Sequence, residues 1–314
     1  MGKRKLIIDT DCGSDDAVAI AMALHDERYE ILMFSAVSGN VRVDQACSNL
    51  LTTLKICDTY YPPVYSGCNE MLKRDFVGAA DTHGNDGMGD LGLVDYSLKP
   101  EEGDAVEKIL ETLKENDAGS IDIITLGPLT NIAMAIMRDP QTMRRVGRIV
   151  SMAATARAGG NVTDLAEFNV WQDAEAFKIV IDFGFDDLMF VAWDASLGEA
   201  ALDEKDIAMI RESCDLGRFC IDSNIGLLML NRARFHKDML DMADPAAVCA
   251  ALCPESIAEC ENYHLDVDLS DSERYGYVDI DLDHVRNEGP SAAICTKLNA
   301  DIYKRYMFDH IIRK

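Results

Sequence analysis

Basic residues are scarce: 30 lysines and arginines stand against 55 aspartates and glutamates, a formal net charge of −25 over 314 residues. So acidic a chain repels phosphate backbones and anionic lipid, which makes nucleic acid and membrane surfaces poor partners. Long apolar runs are missing as well. No stretch reaches ~18 apolar residues, the length a transmembrane helix needs. The basic start, Met1-Gly-Lys-Arg-Lys5, has no hydrophobic region behind it, because Leu6-Ile-Ile8 runs straight into Asp9, so no secretory leader is expected. Leu6 also stands where a myristoylation signal wants Ser or Thr. The 10 cysteines show no regular framework. Cys249 and Cys253 share a helical face, yet no second Cys or His pair accompanies them, which argues for core packing over zinc. Reduced, mostly buried thiols in a cytoplasmic protein are the expectation. Repeats, low-complexity tracts and linkers are absent too. With 48% hydrophobic residues the chain can bury a substantial core, and residues 1–314 read as one large domain.

What recurs is a short apolar run, a polar or glycine turn, then a helical pattern. Residues 5–8 read as the first strand and 15–24 as the helix after it, with Val18, Ala21 and Leu24 on one face. Residues 31–37 form a second strand, followed by a helix over 43–60. Residues 121–126 lead through Gly127-Pro128 into a helix ending near Arg138. Strands over 148–152 and 188–192 enclose a helix over 174–183. This alternation predicts an α/β fold with an open, mainly parallel sheet flanked by helices. Residues 263–269 and 277–282 alternate polar and apolar side chains and predict a small antiparallel addition near the C-terminus. A long helical stretch over 209–239 and a closing helix from Ala292 are also expected. Open parallel sheets bind ligands beyond the carboxyl ends of their strands. That rule selects the loops 9–16, 38–40, 126–131 and 155–169, and whatever follows Trp193.

The first of these loops holds four carboxylates in eight residues: Asp9, Asp11, Asp15 and Asp16. Like charges that close repel one another unless a cation sits among them, and oxygen-only ligands suit a hard ion, Ca²⁺ or Mg²⁺. Asp15 and Asp16 also have an ordinary reading as residues favoured at a helix N-terminus, where negative charge is worth ~0.3–1 kcal/mol. That reading leaves Asp9 and Asp11, at the end of a buried strand, unexplained. Asp-x-Asp after a first strand also describes phosphatases that attack with an aspartate, but those want Thr or Val two residues past the second Asp, where Gly13 stands here.

Further segments carry a resemblance. Asp9-Thr-Asp-Cys-Gly-Ser-Asp-Asp16 resembles the Asp-Thr-Asp-Pro-Gly-x-Asp-Asp signature of the inosine-uridine preferring nucleoside hydrolases. Ser38-Gly-Asn40, Gly127-Pro-Leu-Thr-Asn131, Gly159-Gly-Asn161 through Ala166-Glu-Phe-Asn169, and Asp244-Pro245 match that family in order, and His83-Gly84 with Asp86-Gly87 resembles another of its loops. The resemblance spans residues 5–250. It implies a Ca²⁺-dependent enzyme that hydrolyses the N-glycosidic bond of a ribonucleoside, with a nucleoside as its small-molecule partner and a homodimer or homotetramer as its assembly. Asp11, Asp16 and Asp244 would hold Ca²⁺ by carboxylate and Leu126 by its backbone carbonyl. Asp15 and Asn169 would bind the ribose 2′- and 3′-hydroxyls, Asn40 would orient the sugar, and Asn161 with Glu167 would hold the 5′-hydroxyl. Asp11 would also be the general base for the water that attacks C1′. Taken singly, most of these residues have plainer readings: Asn40 a turn residue, Glu167 a surface charge, Asp244-Pro245 a helix start.

Two departures from the family pattern stand out. Cys12 replaces the usual Pro; Gly13 still permits a tight turn, and a helix N-terminus can lower a thiol pKa, so a reactive Cys12 is one reading and a structural substitution the other. Ala243 occupies the place of the histidine implicated in protonating the leaving base. His236 is the nearby side chain whose pKa suits an acid, and Arg232, Arg234 and nearby tyrosines are further candidates at the base; His83 could line the same pocket. The loss at Ala243 keeps a second class open, a metal-dependent nucleoside or ribose binder with little catalysis.

Overall fold

The computed structural model describes residues 2–236, 238–286 and 288–312. Its frame begins with β1 (Arg4–Thr10), an apolar run whose side chains alternate between two cores: Leu6 and Ile8 pack into one and Ile7 into the other. The strands β2 (Tyr29–Ala36), β3 (Val64–Ser66), β4 (Glu101–Asp104), β5 (Ile121–Thr125), β6 (Arg148–Met152) and β7 (Leu188–Val191) follow. Later come β8 (Ile257–Tyr263), β9 (Leu265–Val267), β10 (Val278–Ile280) and β11 (Ala292–Leu298). Nine strands form one sheet in the order β4-β3-β2-β1-β5-β6-β7-β11-β8. All its pairings are parallel except that of β11 with β8 at the edge. β9 and β10 make a separate antiparallel pair, so the expected mainly parallel sheet and its small antiparallel addition are both present.

Helices cover both faces. The first eight are α1 (Ser14–His25), α2 (Val43–Cys57), α3 (Ala80–His83), α4 (Ala105–Glu115), α5 (Thr130–Arg138), α6 (Pro140–Met143), α7 (Phe168–Gln172) and α8 (Ala174–Phe183). The C-terminal part adds α9 (Glu204–Ser213), α10 (Asp215–Asp222), α11 (Ile225–Phe235), α12 (Ala243–Leu252) and α13 (Ala300–Ile311). α1, α2, α12 and α13 bury apolar residues in the core that takes Leu6 and Ile8, while α4, α5 and α8 cover the opposite face. α4 shows how: Val106, Ile109, Leu110 and Leu113 recur at helical spacing and are buried, and the Asp104 carboxylate caps the helix by accepting from Glu107 N at 3.0 Å. α1 differs, since all twelve of its residues are buried. Alanine at 17, 19, 21 and 23 lets the equally alanine-rich α12 pack directly against it. Among the described residues no helix is long and apolar enough to cross a membrane.

Three expectations change. The helix over 43–60 stops at Cys57, where Asp58 turns left-handed at φ 46°. The stretch 209–239 is broken into α9, α10 and α11. The break at Asn224 has a clear cause: its Nδ2 donates to Ser14 O at 2.9 Å and its Oδ1 accepts from Ser14 Oγ at 2.9 Å, so a tertiary contact takes the amide that would sit mid-helix. The chain does not close with a helix from Ala292. Residues 292–298 are strand β11, because this segment fills the place between β7 and β8, and the helix waits for the Asn299 cap, which accepts from Ile302 N at 3.2 Å. Pairing outweighs the helix preference of the two alanines there.

Candidate active site

The sheet register assembles the site. β1 pairs with β2 and β5 so that Asp9 lies beside Ser35 and Thr125. The three chains therefore leave the sheet side by side, as Thr10-Asp11, Ser38-Gly39-Asn40 and Leu126-Gly127. Asp9 stays behind as an anchor. Its Oδ1 accepts from Ser35 Oγ and, at 2.8 Å, from Asn131 Nδ2, and burial pushes its carboxyl up to about 6. Asn131 also donates to Ala36 O at 3.0 Å and accepts from Cys68 N at 2.8 Å, so it ties β1, β2 and α5 together and has a structural role.

Asp11 sits in a cradle made by two glycines. A Cβ on Gly39 would lie 2.0 Å from Asp11 Oδ2, and one on Gly127 would lie 2.9 Å from Oδ1, so both positions exclude any side chain. Asn40 N donates to Asp11 Oδ2 at 2.6 Å, while Oδ1 is buried with no hydrogen-bond partner among the described residues. Asp16 reaches back to accept from Gly13 N at 2.8 Å, closing the first turn of α1, and also accepts from Thr10 Oγ1 and from Asn40 Nδ2 at 3.2 Å. Asp244 enters from the first turn of α12. Carboxylate oxygens of Asp15, Asp16 and Asp244 lie within 4.8 Å of one another. Burial pushes the carboxyls of Asp11 and Asp244 well above the ordinary range, and the neighbouring carboxylates add to the rise. Asp15 is raised by burial too, with His83 opposing the shift. The converging trio thus holds Asp15 where the sequence reading had Asp11, which lies beside it with an orphaned oxygen; so many buried, mutually repelling carboxylates and no other ligand type fit a hard cation.

A cavity of about 540 Å³ opens over this cluster. Its lining includes Asp15, Asn40, His83, Leu126, Asn161, Glu167, Asn169 and Asp244, all singled out from the sequence, while Asp11 and Asp16 are fully buried next to them. Glu167 is not a surface charge. Its carboxylate caps α7 by accepting from Asn169 N at 2.8 Å and Val170 N at 3.2 Å, and it accepts from Ala154 N at 3.0 Å; burial nevertheless pushes it up to about 7. Asn169 Nδ2 donates to Leu126 O at 2.7 Å and Met152 O at 3.1 Å, and Asn161 Oδ1 accepts from Phe168 N at 2.8 Å. His83 Nδ1 lies 2.8 Å from Ser14 Oγ and 3.8 Å from Asp15 Oδ1. Ser14 N also donates toward Nδ1, at 3.4 Å, and Ser14 Oγ donates to Asn224 Oδ1 at 2.9 Å.

His236 is not brought to this place. It caps the C-terminal end of α11 at φ 55°, is exposed, and does not line the cavity. Arg232 is likewise turned away, in an exposed ion pair with Asp238 at 2.5 Å, whereas Arg234 lines the cavity. The sequence reading missed Asn231, Asp241 and the segment 77–80, which form much of the wall opposite the sheet. The signal available for Asp241 was an acid set three residues before Asp244 in an otherwise apolar approach to a helix.

Cys12 also departs from expectation. The left-handed turn, φ 25°, falls on Cys12, while Gly13 has an ordinary φ of −80°. Gly13 is needed for space instead: a Cβ there would lie 2.7 Å from Asn40 Nδ2. The Cys12 thiol is fully buried, and burial with Asp16 and Asp11 nearby pushes its pKa well up. It should resist a thiol reagent such as iodoacetamide in the native protein and label only on unfolding; rapid native labelling, read by mass spectrometry, would refute this.

Known proteins can now be set beside this geometry. A profile of the inosine-uridine preferring nucleoside hydrolases matches residues 6–305, and the chain belongs to that family. Among relatives, uridine nucleosidase 1 of Arabidopsis thaliana is 40% identical over 188 residues, 59% of this chain and 56% of that protein. A pyrimidine-specific ribonucleoside hydrolase of Salmonella typhimurium is 30% identical over 300 residues, 92% of each chain. A solved plant nucleoside hydrolase superposes with a TM-score of 0.92 at 25% identity, covering 100% of both chains. By family and fold this is a nucleoside hydrolase, of a class of enzymes that cleave the N-glycosidic bond.

Proposed function

We propose that this protein hydrolyses a ribonucleoside to ribose and free base, with Ca²⁺ as its metal, in the cytoplasm. The observation that carries the reading is the buried trio Asp15, Asp16 and Asp244, whose carboxylate oxygens lie within 4.8 Å of one another, with the Asp11 carboxylate close enough to raise and be raised by its neighbours and cradled by Gly39 and Gly127. Asp11, Asp16, Asp244 and the Leu126 carbonyl are the residues that would hold the ion. When bound, it supplies positive charge that binds the ribose hydroxyls and eases deprotonation of water.

The remaining chemistry belongs to the chain. Asp15 and Asn169 hold the 2′- and 3′-hydroxyls, Asn40 orients the ring, and Asn161 with Glu167 holds the 5′ end. Asp11 takes the proton of the water that attacks C1′; its Oδ1 is the oxygen available, since Oδ2 is occupied by Asn40 N. Glycosidic cleavage passes through an oxocarbenium-like sugar, and the surrounding carboxylates stabilise that developing positive charge.

The test is steady-state release of ribose from uridine, inosine, cytidine, adenosine and nicotinamide riboside, with and without a chelator. Turnover of at least one nucleoside, lost on chelation and restored by Ca²⁺, is expected. Binding of nucleoside by calorimetry with no turnover of any would replace the hydrolase reading with that of a binder.

A further inference from the structure

One proton in this reaction still lacks a donor. As the bond from C1′ to the base nitrogen breaks, its electron pair goes to the base, and a poor leaving group must be protonated as it departs. Ala243 cannot supply that proton. Arg234 cannot either, since a guanidinium stays charged throughout the working pH range. His83 holds its Nδ1 against Ser14 and Asp15, beside the residues assigned to the sugar, which leaves its Nε2 as the rival donor.

One buried carboxyl group in the cavity wall has no part in the chemistry derived above. Asp241 is 5% exposed, precedes Ala243 by two residues, and lines the cavity together with Asn231 and Arg234 of α11. Asn231 Nδ2 donates to Asp241 Oδ1 and, at 3.2 Å, to Met239 O, so the amide is held by two acceptors and in turn holds the carboxyl in place. Titratable and charged groups facing Asp241 come from three helices: Asp15 of α1, Arg234 of α11 and Tyr303 of α13. Burial pushes the carboxyl up to about 6; Asp15 adds to the rise, and the Asn231 hydrogen bond and Arg234 oppose it. A buried carboxyl poised near neutrality in a cavity is the form a general acid takes.

We propose that Asp241 is the acid that protonates the departing base, in the role left vacant by Ala243. This rests on the hydrolase reading. The Asp241 O–H gives its proton to the base as the C1′–N bond breaks, and the base keeps the electron pair of that bond. The attacking water delivers hydroxide to C1′ and its proton to Asp11. Proton exchange with solvent then resets both carboxyl groups, so the sum is nucleoside plus water giving ribose plus neutral base.

The experiment compares two leaving groups in Asp241→Asn and the wild type. Uridine and inosine need a proton on the base, whereas p-nitrophenyl ribofuranoside expels a stable phenolate without one. The ratio of kcat/KM for the aryl riboside to that for the nucleoside is expected to rise ~100-fold in the variant. A ratio within threefold of the wild type's, whether both rates fall together or neither falls, overturns the assignment, because a role in folding or sugar binding moves both substrates alike. A wild type that releases ribose from neither substrate overturns the hydrolase reading itself, which is a distinct result.

Discussion

Asp11→Asn is expected to lower kcat by ~10³-fold or more while the protein still folds. General-base catalysis alone accounts for ~10²–10⁴-fold, and the same carboxylate is an assigned metal ligand, so both contributions go at once. Folding should survive for a stated reason. Asn keeps the volume that Gly39 and Gly127 enclose, and its amide oxygen can still accept from Asn40 N. It also removes one member of a buried cluster whose carboxyls are raised by burial and by each other. The metal-free variant should therefore melt no lower than the metal-free wild type. Steady-state kinetics and thermal melting in chelator check both halves. A variant within tenfold of wild-type kcat would remove Asp11 from its role as base.

Removing the metal is expected to have the second large effect, abolishing turnover and lowering the melting temperature in a pH-dependent way. The sign follows from the shifts. Without a cation, burial raises the folded-state pKa of Asp9 to about 6 and that of Asp11 and Asp244 well above the ordinary range. Between the unfolded pKa of ~3.9 and those raised values, the folded state binds more protons than the unfolded one, so stability falls as pH rises. These buried carboxyls thus take stability from the metal-free protein as pH climbs through about 6. A bound cation stabilises the ionised forms and should flatten that slope, so the gain in melting temperature on adding Ca²⁺ is expected to be larger at pH 8 than at pH 5. A gain that is equal at both pH values, or larger at pH 5, would show that the buried carboxylates are not what the ion neutralises.

Legibility in the sequence followed the range of the interactions involved. The parallel sheet and the acidic loop were readable because each comes from a local pattern: a short apolar run, then a turn, then helical spacing. Asn40, Leu126, Asn169 and Asp244 became readable only through resemblance, since nothing local says that the ends of β1, β2 and β5 meet. Where tertiary contacts override local preference, the sequence misled. Ala292-Ala293 belongs to a strand because β7 and β8 leave a place for it, and Asn224 stands between two helices with its amide held by Ser14. Asp241 was overlooked for a similar reason, its one signal being its place three residues before Asp244. An isolated aspartate looks like surface charge until the structure shows it buried against Asn231.

The two walls of the cavity are built on unequal foundations. The acidic cluster hangs from α1, whose twelve residues are all buried, and from glycines that tolerate no side chain. The facing wall comes largely from α11, which leaves Met229 62% exposed, and from the loop 77–80. Mutation is therefore filtered differently on either side. Nearly every change on the first wall disturbs the core and is lost with the fold, while the second can drift residue by residue at small cost. A lineage on this scaffold is thus bound to keep its sugar and freer to vary the side chains that meet its base.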